Sequence, residues 1–236
     1  MNPDTGQIGL FKFKKDTATT DHISECIACD LAGLVGLSCA KFEIGVYKGR
    51  EGSISYNIVD QKGIVLIEGI YCISSMYHGF DEELLLDVET GEKYSLDMIK
   101  TVLEPLGLFN DFLPILVFDF LIGNTDRHQS NWALILEKEK LSISPLYDNS
   151  SSLCAYVKES KIKDYLGNDK LLWKSLVDTK SKSLIRITSN DMKRPTHLAM
   201  IEFLKKNYYK QTIKIEKKIE TLVTEDMLYD ILDKYK

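Results

Sequence analysis

The chain of 236 residues is long enough for one large domain or for two lobes sharing a cleft, and its 44% hydrophobic and 28% charged residues are ordinary for a globular protein. A net charge of -5 argues against a nucleic-acid binder that works by neutralising phosphates. No apolar run reaches the ~18 residues of a membrane span; the longest candidate, "FLPILVFDFLIG", contains a proline and an acid. The five cysteines are an odd number and no signal peptide precedes them, so a reducing, cytoplasmic setting is expected.

In chain order, "IGLFKFKKD" reads as a short strand and "TATTD" as a cluster of capping residues, which introduces a helix from about Ile23 to Val35, ended by Gly36. Cys26 and Cys29 form a C-x-x-C pair inside that helix. No second pair follows at a zinc-site distance, so both are read as helical cysteines facing the core. "KFEIGVYKG", "GSISYNIVD" and "GIVLIEGIYCI" are rich in β-branched and aromatic residues and read as antiparallel strands.

From about Ser95 the apolar period becomes helical, in "SLDMIKTVLEPL" and then "FNDFLPILVFDFLIG". "NWALILEKEKLSISPLYD" reads as a hairpin about a polar "EKEK" turn. Helices resume with "HLAMIEFLKKNY" and a charged pair from Thr212 to Lys236. The expected fold is therefore α+β, with a small β-rich N-lobe over residues 1–70 and a larger helical C-lobe over 71–236. Their junction falls between Ser55 and Ser75.

Between the second helix and the hairpin lies "GNTDRHQSNWALI", a polar loop between apolar segments. A hairpin returns the chain to its starting edge, so Asp148 at its end comes back beside the loop that carries Asp126 and Asn131. Three oxygen-bearing side chains then converge. Such a trio suits Mg²⁺, with Asn131 and Asp148 as metal ligands and Asp126 as the carboxylate beside an attacking hydroxyl in phosphoryl transfer. The spacing of five from Asp126 to Asn131 repeats that of the protein-kinase catalytic loop. A metal-dependent hydrolase fits less well, because His22, His78, His128 and His197 are scattered.

Phosphoryl transfer also needs a lysine for the phosphates and an acid to hold it. Lys12 and Lys14 are both candidates, two apart on one strand. Glu25, in the first turns of the following helix, is the acid. The nucleotide base should lie against the segment linking the lobes, either Ser55 to Asp60, which includes Tyr56 and Ile58, or Leu66 to Gly69.

"FDFLIGNTDRHQSNWALI" followed by "ISPLYDNSSSL" resembles the HipA-like serine/threonine kinases, in which N-x-D-x-H-x-x-N precedes a Y-D motif. The resemblance is best from Phe118 to Leu153. It implies a two-lobed protein-kinase-like fold related to the phosphoinositide kinases, ATP and Mg²⁺ as cofactors, and a protein substrate. On it, Asp126 is the catalytic aspartate, Asn131 and Asp148 hold metal, and Arg127 and His128 stabilise the loop or face the phosphates. An apolar pair followed by lysine in that family favours Lys12 over Lys14. Family members carry an N-terminal subdomain and a glycine-rich loop before this strand, whereas only eleven residues precede Lys12 here. A partner chain supplying that part, or an antitoxin, is therefore expected. Ser150, Ser151 and Ser152 stand where an activation segment begins and read as a serine-rich turn; autophosphorylation there is suggested by position alone. A silent relative that binds nucleotide or a partner without catalysis is the alternative reading.

Overall fold

In the computed structural model, residues 5–15, 19–59 and 63–235 are described. Asp16, Thr17, Ala18, Asp60, Gln61 and Lys62, assigned from sequence to a strand end, the capping cluster and an interlobe segment and turn, lie outside them, as does Lys236.

The first unit is an antiparallel sheet in the order β1 (Gly9–Phe13), β3 (Arg50–Tyr56), β2 (Phe42–Tyr47), with helix α1 (Asp21–Val35) packed on it. Alternation along β1 puts Phe11 and Phe13 on one face, where they meet the Tyr47 ring at centroid distances of 5.7 and 6.2 Å. Lys12 therefore points to the other face, toward α1. α1 ends at Gly36 in the left-handed region (φ 74°), and the Leu37 N–H closes the last turn on the Ala32 carbonyl at 2.8 Å.

β4 (Ile64–Glu68) is a strand, as its composition suggests, but it joins a different sheet. It pairs with β7 (Ala133–Glu137), which pairs in turn with β8 (Lys140–Ile143). The rest of the expected strand folds as helix α2 (Gly69–Ser74). At that junction the Gly69 N–H donates to the Trp132 carbonyl at 2.8 Å, and a Cβ on Gly69 would lie 2.2 Å from the Trp132 ring. Only glycine lets the backbone approach so closely. The β7–β8 turn at Lys138 and Glu139 has φ of 48° and 65°, the two left-handed residues of a tight hairpin.

A two-stranded ribbon, β5 (Phe80–Asp81) and β6 (Leu86–Asp87), leads to α3 (Leu96–Leu103), whose cap is Ser95 Oγ accepting from the Met98 N–H. Helix α4 (Phe109–Ile122) is apolar nearly all round, so it is buried nearly all round: Phe112, Leu113, Leu116 and Phe118 are at most 2% exposed. It packs along α7 (His197–Leu222), which is kinked at Tyr208, and Phe112 meets Trp132 edge-on at 5.3 Å. Between them run α5 (Glu159–Tyr165) and α6 (Lys170–Ser175), the latter continued by one π turn to Lys180. The chain closes with α8 (Glu225–Asp233) against α1, where Lys234 Nζ pairs with Asp30 at 2.9 Å. No helix of the described residues is long and apolar enough to cross a membrane.

Candidate functional site

α4 carries one buried acid, Asp119, in the apolar run that follows its first turn. A carboxylate there requires a partner, and Arg127 supplies it from the following loop. Its Nε donates to Asp119 Oδ2 at 3.1 Å and its Nη2 to Oδ1 at 2.6 Å. The remaining donors reach the Asn131 carbonyl (2.8 Å), the Tyr147 carbonyl (3.2 Å) and Asn149 Oδ1 (2.7 Å). Arg127 is 1% exposed and its N–H groups are engaged by protein, so no donor is left for a phosphate. Of the two roles expected for it, loop stabilisation or facing the phosphates, these bonds favour the first.

Gly123 ends α4 in the left-handed region (φ 63°), and the loop is then shaped by amides. Asn124 Oδ1 accepts from the Asp126 N–H at 3.0 Å while its Nδ2 donates to Asp119 at 3.1 Å. Asn131 Nδ2 donates to the Asp126 carbonyl at 2.7 Å. Asp126 is thus held by its backbone from both sides, and no donor among the described residues takes its carboxylate. His128 faces its own loop, its Nδ1 accepting from the Ser130 N–H at 3.2 Å.

The β7–β8 hairpin does return the chain to this loop. Tyr147 donates its hydroxyl to the Ser130 carbonyl at 3.0 Å, and Arg127 bonds the Asn131 and Tyr147 carbonyls with one nitrogen. Asp148 follows in the left-handed region (φ 49°) and accepts from Ser150 Oγ at 3.1 Å. Ser152 is fully buried, so of the three serines it is the one sealed from solvent.

From the small sheet, Lys12 Nζ reaches Asp148 Oδ1 at 3.0 Å and Glu25 Oε1 at 3.9 Å. Lys14 lies beyond the end of β1, its Nζ on Glu51 at 3.3 Å. The two lysines therefore do not share a site. Glu25 is 0% exposed, and neither carboxylate oxygen has a hydrogen-bonding partner, although the Asn149 backbone lies near. Burial pushes its carboxyl up to about 7 against the pull of Lys12.

Beside this ion pair a cavity of about 380 Å³ is lined by Ile8 to Leu10, Ser55 to Ile58, Leu66 and Tyr147. Both segments expected to contact a base, the one with Tyr56 and Ile58 and the one with Leu66, contribute to it. Tyr56 also donates to Glu43 at 2.6 Å. The donor set fits Mg²⁺: Asn131 has spent its N–H on the loop and keeps an amide oxygen, and Asp148 offers a carboxylate whose partners are the Lys12 ammonium and the Ser150 hydroxyl. Of the C-x-x-C pair, Cys26 is 1% exposed and Cys29 Sγ donates to the Ala40 carbonyl at 3.1 Å, while Cys39 Sγ accepts from Asn149 Nδ2 at 3.9 Å.

Sequence reasoning missed Asp119, Asn124, Asn149 and Tyr147. Asp119 did carry a signal, being the one acid in the apolar run that follows the first turn of α4. Asn124 and Asn149 carried none, since asparagine in a loop is ordinary.

The chain matches the family model of the HipA-like C-terminal domain over residues 2–219. Among solved structures it is similar to the Helicobacter pylori proinflammatory kinase CtkA, with a TM-score of 0.78 and 19% identity, covering 96% of this chain and 77% of that one. It is also similar to HipA of Shewanella oneidensis MR-1, from a toxin–antitoxin complex with HipB and operator DNA, with a TM-score of 0.60 and 14% identity, covering 95% of this chain and 51% of that one. No match is found among curated protein sequences.

Proposed function

Because the chain belongs to the family of HipA-like C-terminal domains, and has the fold of its kinases, we propose that it is an ATP- and Mg²⁺-dependent serine/threonine protein kinase. The observation that carries this reading is Lys12 held between Glu25 and Asp148, opposite a loop that leaves the Asp126 carboxylate free. Asp126 orients the acceptor hydroxyl and takes its proton as the oxygen bonds to the γ-phosphorus and the bond to the β,γ-bridging oxygen breaks. Lys12 leaves Asp148 for the phosphates, and Glu25 keeps it in the cleft. Asn131 and Asp148 would hold Mg²⁺, which would supply charge neutralisation of the phosphates. The cavity beside Tyr56, Ile58 and Tyr147 takes the base. The presence of HipB with the Shewanella HipA supports the further expectation of a partner chain or antitoxin.

Calorimetry of ATP binding with and without Mg²⁺, on wild type and Asp148→Ala, tests the site. Metal-dependent binding that disappears in the variant is expected; equal binding by both proteins would refute the metal assignment. Lys12→Ala should weaken ATP binding by about 10- to 100-fold, the loss of a charge-assisted bond, and Lys14→Ala should change it little, because Lys14 faces Glu51. Equal losses would show that the two lysines act as one patch.

Glu25 gives a pH signature. Its carboxyl titrates at about 7 in the folded protein against an ordinary value of 4.5, so the folded state holds this proton more tightly than the unfolded one. The stabilisation is complete below the unfolded value and is lost as pH rises toward 7. Through this group the protein should lose up to about 3 kcal/mol over that window. In Glu25→Gln that part of the slope should vanish when urea denaturation is compared across the same pH range; an unchanged slope would place its source elsewhere.

A further inference from the structure

Three of the five cysteines meet where α1, the turn after it and the chain entering Tyr147 come together. Cys26 and Cys29 stand on α1, and Cys39 follows the helix, beside Ala40 and Phe42 of one small apolar cluster. Cys26 is sealed, and burial pushes its thiol up to about 12, so it stays protonated. Cys29 and Cys39 are only partly buried. Cys29 Sγ lies 3.1 Å from the carbonyl of Ala40, the residue after Cys39, and the two thiols hydrogen-bond each other. That bond favours the Cys29 thiolate, to which Cys39 donates, and opposes a second ionisation at Cys39. A nucleophilic sulfur and a thiol able to resolve it are thus already in contact.

The pair also spans a seam of the fold. Cys39 forms a parallel bridge with Leu146, on which the Ala40 N–H donates to the Leu146 carbonyl at 2.7 Å and the Leu146 N–H to the Ser38 carbonyl at 2.8 Å. Its sulfur accepts from Asn149 Nδ2 at 3.9 Å, and Asn149 Oδ1 in turn accepts from Arg127 at 2.7 Å. Cys29 lies about one helical turn after Glu25, on the same face of α1. One cysteine therefore belongs to the helix of Glu25 and the other to the backbone that flanks Asp148.

We propose that Cys29 and Cys39 form an oxidation site, at which hydrogen peroxide closes a reversible disulfide across this seam. The Cys29 thiolate attacks one peroxide oxygen, the O–O bond breaks, and the departing hydroxide takes up the proton that Cys29 released, leaving a sulfenic acid and water. The Cys39 sulfur then attacks the Cys29 sulfur. The S–S bond forms, the S–O bond breaks, and the Cys39 proton leaves with the hydroxide as a second water. Two thiols lose two electrons and one peroxide gains them; a dithiol reductant reverses the change. Closure takes the Cys39 sulfur away from Asn149 and fastens α1 to the segment that leads into Asp148. In a reducing compartment such a bond is transient and acts as a sensor rather than a staple. The site stands whether or not the protein transfers phosphate.

Peptide mapping tests it. The full chain, reduced and freed of reductant, is treated with a small excess of hydrogen peroxide at neutral pH, alkylated and cleaved before aspartates; the cut at Asp30 separates the two cysteines, so a disulfide appears as two joined peptides. The expected result is a Cys29–Cys39 link in wild type and in Cys26→Ser, released by dithiothreitol, with a loss of two from the five thiols that titrate in denaturant. In Cys39→Ser, Cys29 should stop at the sulfenic acid, which dimedone labels. Cys72 and Cys154, whose thiols burial also pushes up, should be alkylated throughout. Five free thiols after peroxide, a link from Cys29 to Cys26, or oxidation of Cys72 and Cys154 as fast as that of the pair would overturn the proposal. The wild-type map decides the matter even where a variant folds poorly.

Discussion

Asp126→Asn is expected to slow phosphoryl transfer by about 100- to 10,000-fold, the range for removal of a positioned general base, while ATP affinity stays within about twofold of wild type. The separation follows from how the residue is held. Asn124 caps its N–H and Asn131 bonds its carbonyl, both through backbone atoms that asparagine keeps. Only the carboxylate charge is removed. Transfer of labelled phosphate to a protein acceptor, set beside calorimetry with ATP and Mg²⁺, measures the two quantities. Transfer at the wild-type rate would refute the assignment of Asp126. A matching loss of ATP binding would mean that it serves the nucleotide instead.

The second large effect concerns stability. Arg127→Met should cost about 3–5 kcal/mol in urea denaturation, because it strands the Asp119 carboxylate in the core. It should also abolish transfer, since one guanidinium joins α4, the Asn131 end of the loop and both neighbours of Asp148. Arg127→Lys should rescue little: a lysine keeps the charge but has no planar fork to reach these groups together. In the double variant Asp119→Leu with Arg127→Met, no charge is stranded, so much of the stability should return while activity stays lost. If Arg127→Met alone is as stable as wild type, the buried pair is not what holds the site.

The order of elements, the hairpin after the polar loop and the return of Asp148 to that loop were legible in the sequence because periodicity and turn residues specify them locally. The pairing of β4 was not. Its composition marks a strand, but its choice of β7 over the small sheet depends on a contact between Gly69 and Trp132, residues far apart in the chain. Lys12 and Lys14 looked equivalent by alternation, and they differ because β1 stops at Phe13. The direction of Arg127 was equally hidden. A cation in a polar loop suggests solvent or phosphate, and only the acid eight residues earlier, on a helix buried nearly all round, turns it inward.

α1 is gripped from two sides, by β2 and β3 and by the C-terminal helices, where both Lys234 and Tyr235 bind Asp30. The helix that bears Glu25 is therefore fastened to the far end of the same chain. Swinging the small sheet away as a rigid body would tear that fastening. β1, bonded along one edge only, to β3, is the part that lifts at least cost. If the cavity beside Tyr56 takes a nucleotide as proposed, its way in opens at that strand edge, while the C-terminal residues brace α1 and the strands packed on it.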